Sequence, residues 1–401
     1  MLIWRNHINM RTLFTRRSLE AAKFVLDEAF RRKRHPLRSL EYSARSVLEW
    51  LLRAQQATPD DGVAEGYHVT TRKWSPSYPE TTGYIICSVL RAARAKILPQ
   101  EVLQSAAVKM GTWLLTTQFK KGAFPGGNIG VTDPSPAVFN TGQILLGLTD
   151  LVEFDLDPAK EFHESAARAA RWLIESQDDG YWRSGISTLT SEPVHAYNIR
   201  SAWALARFGK ITGNNKAVQA GVRNAEWLIR LQDEEGWFPS MSFDVGVAPL
   251  THTVAYTIRG LLELGLLCER EDFIKAATDA AKKMKQLQDQ STGAIPGKVD
   301  RPYRSVANWT TATGNSQMAI IWFRIAGISG DQGWESAAKK ANQFNRSIQE
   351  IDFESRDPGR RGALRGSFPG HKGYGRYWYM NWTQKFYLDA LLEELNLELS
   401  D

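Results

Sequence analysis

Apolar positions recur along this chain at three- and four-residue intervals, the period of an α-helix, and they do so in two alternating styles. In segments such as SAARAARWLIESQ, small and apolar residues share one face while Arg and Glu occupy the other, which predicts a helix buried on one side. In segments such as THTVAYTIRGLLELGLL and NWTTATGNSQMAIIWFRIAG, the later turns are apolar on nearly every side and almost free of polar groups. A helix of that kind has no solvent face. The two styles are joined by turns rich in Gly and aromatics, DDGYWRS, DEEGWFPS, KKGAFPGGN and STGAIPGK, where glycine supplies backbone angles that other residues avoid. Pro79, Pro136 and Pro193 stand at or just before the start of a second-style helix, where a missing N–H costs little.

The pairs repeat. In VLEWLLRAQ, GTWLLTTQ, ARWLIESQ and AEWLIRLQ, Trp50, Trp113, Trp172 and Trp227 each precede a Gln by five positions, at Gln55, Gln118, Gln177 and Gln232. The series continues in weaker form with Lys283 before Gln288 and Phe344 before Gln349, and successive glutamines lie 55 to 63 residues apart. Six such units predict an all-α fold, an (α/α)6 toroid over residues 40–401, with the one-sided helices outside and the fully apolar ones inside. This overrides the two or three domains that length alone suggests. Residues 1–39 form a basic helical lead-in.

The string Trp172-Leu173, Gln177, Gly180, Trp182 resembles the QW motif of the terpenoid cyclase and protein prenyltransferase superfamily, and Trp227-Leu228, Gln232, Gly236, Trp237 is a near match. The resemblance in repeat pattern covers roughly residues 40 to 396 and implies architecture rather than chemistry. The acidic DxDD signature of the hopene-forming cyclases is absent, as is the Asp, Cys and His set that holds zinc in the prenyltransferases. Such toroids also carry polysaccharide lyases, glycosidases and sugar epimerases, and this carbohydrate-handling branch is the one the resemblance leaves.

Charge changes the picture in one place. The formal net charge is +6, and residues 1–36 account for the excess, with Arg5, Arg11, Arg16, Arg17, Lys23, Arg31, Arg32, Lys33 and Arg34 against Glu20, Asp27 and Glu28. That segment reads as a solvated helix or as a contact to a membrane or other anionic partner. No nucleic-acid module accompanies it. Cys87 and Cys268 lie in apolar stretches and read as buried thiols. No metal-ligand spacing occurs, so no metal or cofactor is expected. The start lacks an apolar core of signal-peptide length and no window is apolar enough to span a membrane, which predicts a cytoplasmic protein.

Candidate chemistry gathers where the inner helices begin, because those starts converge on one end of the ring. In chain order they bring Tyr78 and Glu80; Asn140; His195, Tyr197, Asn198 and Arg200; His252 and Tyr256; Trp309, Asn315 and Gln317; and Tyr379, Asn381, Trp382 and Lys385. His252 and Tyr256 are four apart and share a helix face. A second cluster is the long loop at 354–378, where Arg360, Arg361, Arg365, His371, Lys372 and Arg376 alternate with Tyr374, Tyr377 and Trp378. It reads as a lid whose guanidinium groups pair with carboxylates and whose rings stack on sugars. Arg72, Lys73, Arg301 and Arg304 would add positive charge.

Together these features predict an enzyme acting on an acidic, uronate-containing glycan by proton abstraction next to the carboxylate, as a lyase or an epimerase. Arg200, Asn198 and Asn381 would neutralise the carboxylate, His195 or His252 would be the base, and Tyr197 or Tyr256 the acid. Tyr78, Trp309, Arg365, His371, Lys372, Arg376, Tyr377, Trp378 and Lys385 would help bind substrate. The alternative is hydrolysis by two carboxyl groups, Glu80 with Asp244, with Glu192 and Asp133 as further candidates. A third reading is a glycan-binding scaffold without turnover.

Overall fold

The computed structural model describes residues 10–31, 37–130, 133–183, 190–351 and 357–398. Helix α1 (Met10–Arg31) leads into a ring of paired helices: α2 (Leu40–Gln56) with α3 (Pro79–Arg94), α4 (Gln100–Thr117) with α5 (Val138–Glu153), and α6 (Glu161–Glu175) with α7 (Ile199–Thr212). The ring continues through α8 (Asn215–Ile229) with α9 (Thr251–Cys268), α10 (Glu271–Gln286) with α11 (Ala312–Ser329), and α12 (Gln332–Ser347) with α13 (Asn381–Glu398). The second helix of each pair packs on the second helix of the next, and α13 returns to α3 and closes the circle. The all-α toroid predicted from the repeat is the fold observed.

The two helix styles take the two rings for the expected reason. On α6, Ala166, Ala169, Ala170 and Leu173 are buried while Glu164, Arg168 and Arg171 are exposed. On α9, burial runs without a break from Thr251 to Leu262. Each fully buried leucine there, Leu261 among them, contributes roughly 1.5–3 kcal/mol over an exposed one. Close packing of the inner ring needs small residues: a Cβ on Gly147 would lie 2.0 Å from the Gly83 carbonyl oxygen. The α3 and α5 backbones therefore touch.

The repeated glutamines staple the outer ring. Each donates its Nε2 to a backbone carbonyl of the next outer helix: Gln55 to Ala106 (3.1 Å), Gln118 to Ser165 (2.9 Å), Gln177 to Ala220 (2.9 Å), Gln232 to Ala276 (2.9 Å) and Gln288 to Ala337 (2.9 Å). Gln349 donates to Ser43 on α2 (3.1 Å), so the sixth staple joins the last unit to the first. All of these except Gln177 also bond a carbonyl of the turn that follows their own helix.

Short strands stiffen the turns at this same end of the outer helices, where the inner helices start. β1 (Gly66–His68) lies between β2 (Lys73–Trp74) and, near the carboxy terminus, β7 (Trp378–Met380); β3 (Val299–Asp300) pairs with β4 (Arg304–Ser305), and β5 (Thr310–Thr311) with β6 (Ser367–Phe368). Helix α1 lies on the loop between β6 and β7. Phe24 packs on Tyr377 and Tyr379, and the Glu28 carboxylate accepts from Arg365 Nη1 (2.5 Å) and from the Gly370 N–H (2.9 Å). Arg5, Arg32, Lys33 and Arg34 of the basic lead-in lie outside the described residues, as do residues 354–356 of the predicted lid.

One expectation fails in the ring's interior. The later turns of the inner helices are not free of polar groups: they carry a buried ionic cluster. Lys385 Nζ meets Asp389 (2.6 Å), Ser88 donates to the same carboxylate (2.7 Å), and Arg91 binds Glu393 (2.8 Å). Arg259 reaches Glu263 and Asp389 at 3.6 and 3.8 Å, Arg324 reaches Glu263 at 3.1 Å, and Arg207 pairs with Asp150. The charges are scattered among apolar residues, Arg259 and Glu263 on α9 and Lys385, Asp389 and Glu393 on α13, so the apolar periodicity hides them.

Candidate active site

The starts of the inner helices do converge, and they enclose a cavity of about 270 Å³. Tyr78 and Glu80 reach it from α3, Phe139 and Asn140 from α5, Tyr197 from the single turn that precedes α7, His252 and Tyr256 from α9, and Trp382 from α13. Tyr84, one turn beyond Glu80, and Phe243 complete the aromatic lining. Tyr374, from the loop between β6 and β7, covers one side and packs on His252 and Trp382 with ring centroids 4.9 and 6.3 Å apart.

Two carboxylates share this wall. Glu80 accepts a hydrogen bond from the Tyr78 hydroxyl at 3.0 Å. Burial pushes its carboxyl up to about 7, against the lowering effects of Tyr78 and of the Arg200 charge, and the neighbouring Glu65 pushes it up further. Glu65 stands in the turn ahead of β1, held by its N–H to Pro76 (3.0 Å) and by its carbonyl, which accepts from Asn381 (2.8 Å). Burial raises its carboxyl too, opposed by the Asn128 amide, which donates to Oε2 at 2.9 Å. Among the described residues, no Lys or Arg lines the cavity.

Of the proposed bases, His252 lies on the wall. Burial lowers it to about 3, so the imidazole is neutral, and its Nδ1 is buried with no hydrogen-bond partner. His195 does not line the cavity. It stacks on Tyr197, its Nδ1 is 3.2 Å from the Ser242 carbonyl and its Nε2 3.0 Å from the Thr190 hydroxyl. A carbonyl can only accept, so Nδ1 carries the proton and Nε2 accepts from Thr190. His195 therefore holds Thr190, which does face the cavity.

The proposed cations stand elsewhere. Arg200 lies beneath the floor, 1% exposed, with Nε donating to Gln143 (2.9 Å), its guanidinium 5.1 Å from the Tyr256 ring centre, and Nη1 without a partner. Its field reaches Glu80, but its atoms do not line the space. Asn198 is buried beside it in chain order and does not line the cavity either. Asn381 is spent on the backbone of Ala64 (2.9 Å) and on Thr81 (2.7 Å), and Lys385 on Asp389. Asn315 accepts from Ile295 N–H at 2.9 Å, and Gln317 bonds Thr313 in its own helix.

Arg365 is likewise taken up, by Glu28 and by Glu350 (2.7 Å), so it anchors the loop and presents no free charge. Lys372 and Arg376 are exposed, His371 is half-buried, and none of the three lines the cavity. Tyr377 packs on Phe24 and Trp378 on His68. Trp309 lies outside the cavity against Gly373, where a Cβ would come within 2.3 Å of its ring. Arg72, Arg301 and Arg304 pair at the surface with Glu20, Asp233 and Asp300.

Asp244 is exposed and accepts from the Ser191 N–H and hydroxyl (3.2 and 2.9 Å); it does not line the cavity. Glu192 accepts from Ser240 (3.0 Å), and Asp133 is exposed. The carboxylate that joins Glu80 is Glu65, which the sequence reading passed over. Its only signal was its place, an acidic residue in the first unit's version of the turn that carries glycine and aromatics in the others.

No protein-family model matches the chain. No curated protein matches it in sequence. Solved structures do. The fold is similar to that of an unsaturated glucuronyl hydrolase specific for heparin, with a TM-score of 0.70 at 14% identity over 90% of this chain and 98% of that one. A sugar epimerase from a ruminal bacterium follows at 0.66 and 11% identity, over 85% and 95%. A polysaccharide lyase matches at 0.61 and 10% identity, over 90% and 99%. The shared feature is the helical toroid, here built by proteins named for carbohydrate chemistry.

The site can thus offer a protonated carboxyl, a second carboxylate, a neutral imidazole and a wall of rings. Among the described residues, no group of three His, Cys, Asp or Glu is placed to hold a metal ion. No helix among them is long and apolar enough to cross a membrane.

Proposed function

We propose that this chain is a carbohydrate-active enzyme that cleaves a glycosidic bond in the cavity at the ring's mouth, with Glu80 as the proton donor and Glu65 as the second carboxylate. One observation carries the reading: a half-buried carboxyl among aromatic rings, in a cavity that no Lys or Arg of the described residues lines, whose proton is held up to about 7. A general acid works best when its pKa lies near the working pH, because it is then protonated and still willing to give the proton up. Glu65, hydrogen-bonded by Asn128, is the better placed to remain ionised and to activate water or steady positive charge on the sugar ring. Tyr78, Tyr197, Tyr256, Tyr374 and Trp382 give flat faces and hydroxyl or N–H groups to a sugar.

The toroids named for uronate sugars put unsaturated glucuronyl oligosaccharides first among substrates to try, followed by saturated acidic and neutral glycans. The absorbance of the conjugated uronate separates the outcomes. Its loss, or the release of reducing ends with no change in it, supports hydrolysis. A rise means that a new double bond forms by elimination, and that overturns it. The second reading, proton abstraction by His252 with Tyr256 one turn away, would then stand, since His252 is neutral, on the wall, and free at Nδ1.

A further inference from the structure

A second concavity, about 530 Å³ and larger than the catalytic one, opens on the same end of the ring between the fifth and sixth units. Its floor is aromatic and apolar: Trp309, Phe368, Phe344 and Pro296. Phe368 is half-buried and stands edge-on to Phe344, ring centres 5.8 Å apart. Its rim is polar and uncharged except for one acid, with Thr292, Ser305, Asn308 and Asp289 exposed. No Lys or Arg among the described residues lines it.

The groove and the catalytic cavity are two sides of one wall. Gly373, in the left-handed region at φ +67°, rests on the Trp309 ring of the groove, and the next residue, Tyr374, lines the cavity. On the neighbouring unit, Pro296 of the groove accepts from the Thr251 hydroxyl, Gly297 accepts from the Thr251 N–H (3.1 Å), and the next residue, His252, lines the cavity. Two adjacent residues, Gly373 and Tyr374, thus touch the groove's indole and line the cavity respectively.

We propose that this groove is a second carbohydrate subsite, which holds an uncharged sugar unit of the same glycan outside the cavity where the bond is cut. This rests on the glycan reading of the cavity. The chemistry is that of a pyranose: one ring face is apolar and lies on Phe368, while hydroxyls at the ring edge bond Asn308, Thr292 and Ser305. A carboxylate or sulfate would find no cation there and would face Asp289. The occupant is thus a neutral unit even where the unit in the cavity is acidic. Gly373 has a further consequence: a side chain at that position would push the crest off Trp309 and alter both sites together.

The test uses the full chain and an array of neutral and mixed neutral–uronate oligosaccharides, from disaccharides to long oligomers. Wild type is expected to bind long members that carry neutral units roughly tenfold tighter than disaccharides. Thr292→Trp, which fills the groove from an exposed position, and Phe368→Ala, which removes its floor, should each erase that preference and leave disaccharide binding unchanged. Trp309 is left intact because it also seats Gly373. Binding that does not depend on length, a preference that survives both variants, or an array that shows no binding would overturn the subsite. The cavity reading fails separately: turnover that survives Glu80→Gln removes the proton donor while the length preference stays.

Discussion

The two ends of the inner ring bury carboxylates in opposite company. At the far end, Asp389 lies among Lys385, Arg91 and Arg259; burial alone would raise its carboxyl, but these cations outweigh it and hold it below its ordinary range. Glu263 is held down in the same way by Arg324 and Arg259. At the mouth, Glu80 and Glu65 are half-buried beside rings and each other, and loss of solvent raises both. Loss of solvent acts on carboxyls at both ends, so it does not tell the ends apart. What sets the mouth apart is a pair of carboxyls with no Lys or Arg among the described residues lining the space around them. Paired charges fill the centre of the ring, and carboxyls without a lining cation stand at its mouth.

The contrast can be broken most forcefully at the mouth. Glu80→Gln, which keeps shape and removes the proton, is expected to lower kcat/KM by about 10²–10⁴-fold with the melting temperature little changed. At the far end the balance reverses. Asp389→Ala strands Lys385 and Arg259 without their carboxylate and should cost about 3–5 kcal/mol in urea unfolding, a loss far larger than any produced at Glu80. Gln349→Ala removes the staple that closes the ring on α2 and should cost roughly 1–3 kcal/mol, since the Ser43 and Gly362 carbonyls lose their donor.

The smallest effect is a difference in slope. The folded state holds the Glu80 proton up to about 7, while the unfolded chain gives it up near the ordinary carboxyl value of 4.5. Between these values the folded state binds more protons, so this group makes stability fall as pH rises. Glu80→Gln lacks that contribution, and its stability relative to wild type should increase from pH 4.5 to 7, as read by thermal unfolding across that range.

The toroid was legible because it is repetitive. Trp50 with Gln55 and its five successors announce six units, and the period of apolar residues told the outer α6 from the inner α9. The mouth was legible for a related reason: Tyr78, Glu80, Tyr197, His252, Tyr256 and Trp382 all sit where an inner helix begins, and the ring brings such starts together. Pairing was less legible. Arg365 reads as a free lid cation until Glu28, 337 positions earlier, lies against it. Arg200 reads as a ligand for a carboxylate until it goes under the floor. Lys385 and Asp389 are four apart on one helix, a spacing that allows the pair without requiring it. Glu65 belongs to no inner helix, and only the fold carries its turn to the cavity.

The pH dependence of kcat/KM, measured on a glycan that the protein cleaves, tests the central claim most directly. With Glu80 as proton donor, kcat/KM should fall tenfold for each pH unit above a limb near 7, and the residual activity of Glu80→Gln should show no such limb. A wild-type profile that stays flat well above that limb, or a Glu80→Gln variant that keeps both the rate and the limb, would contradict the account.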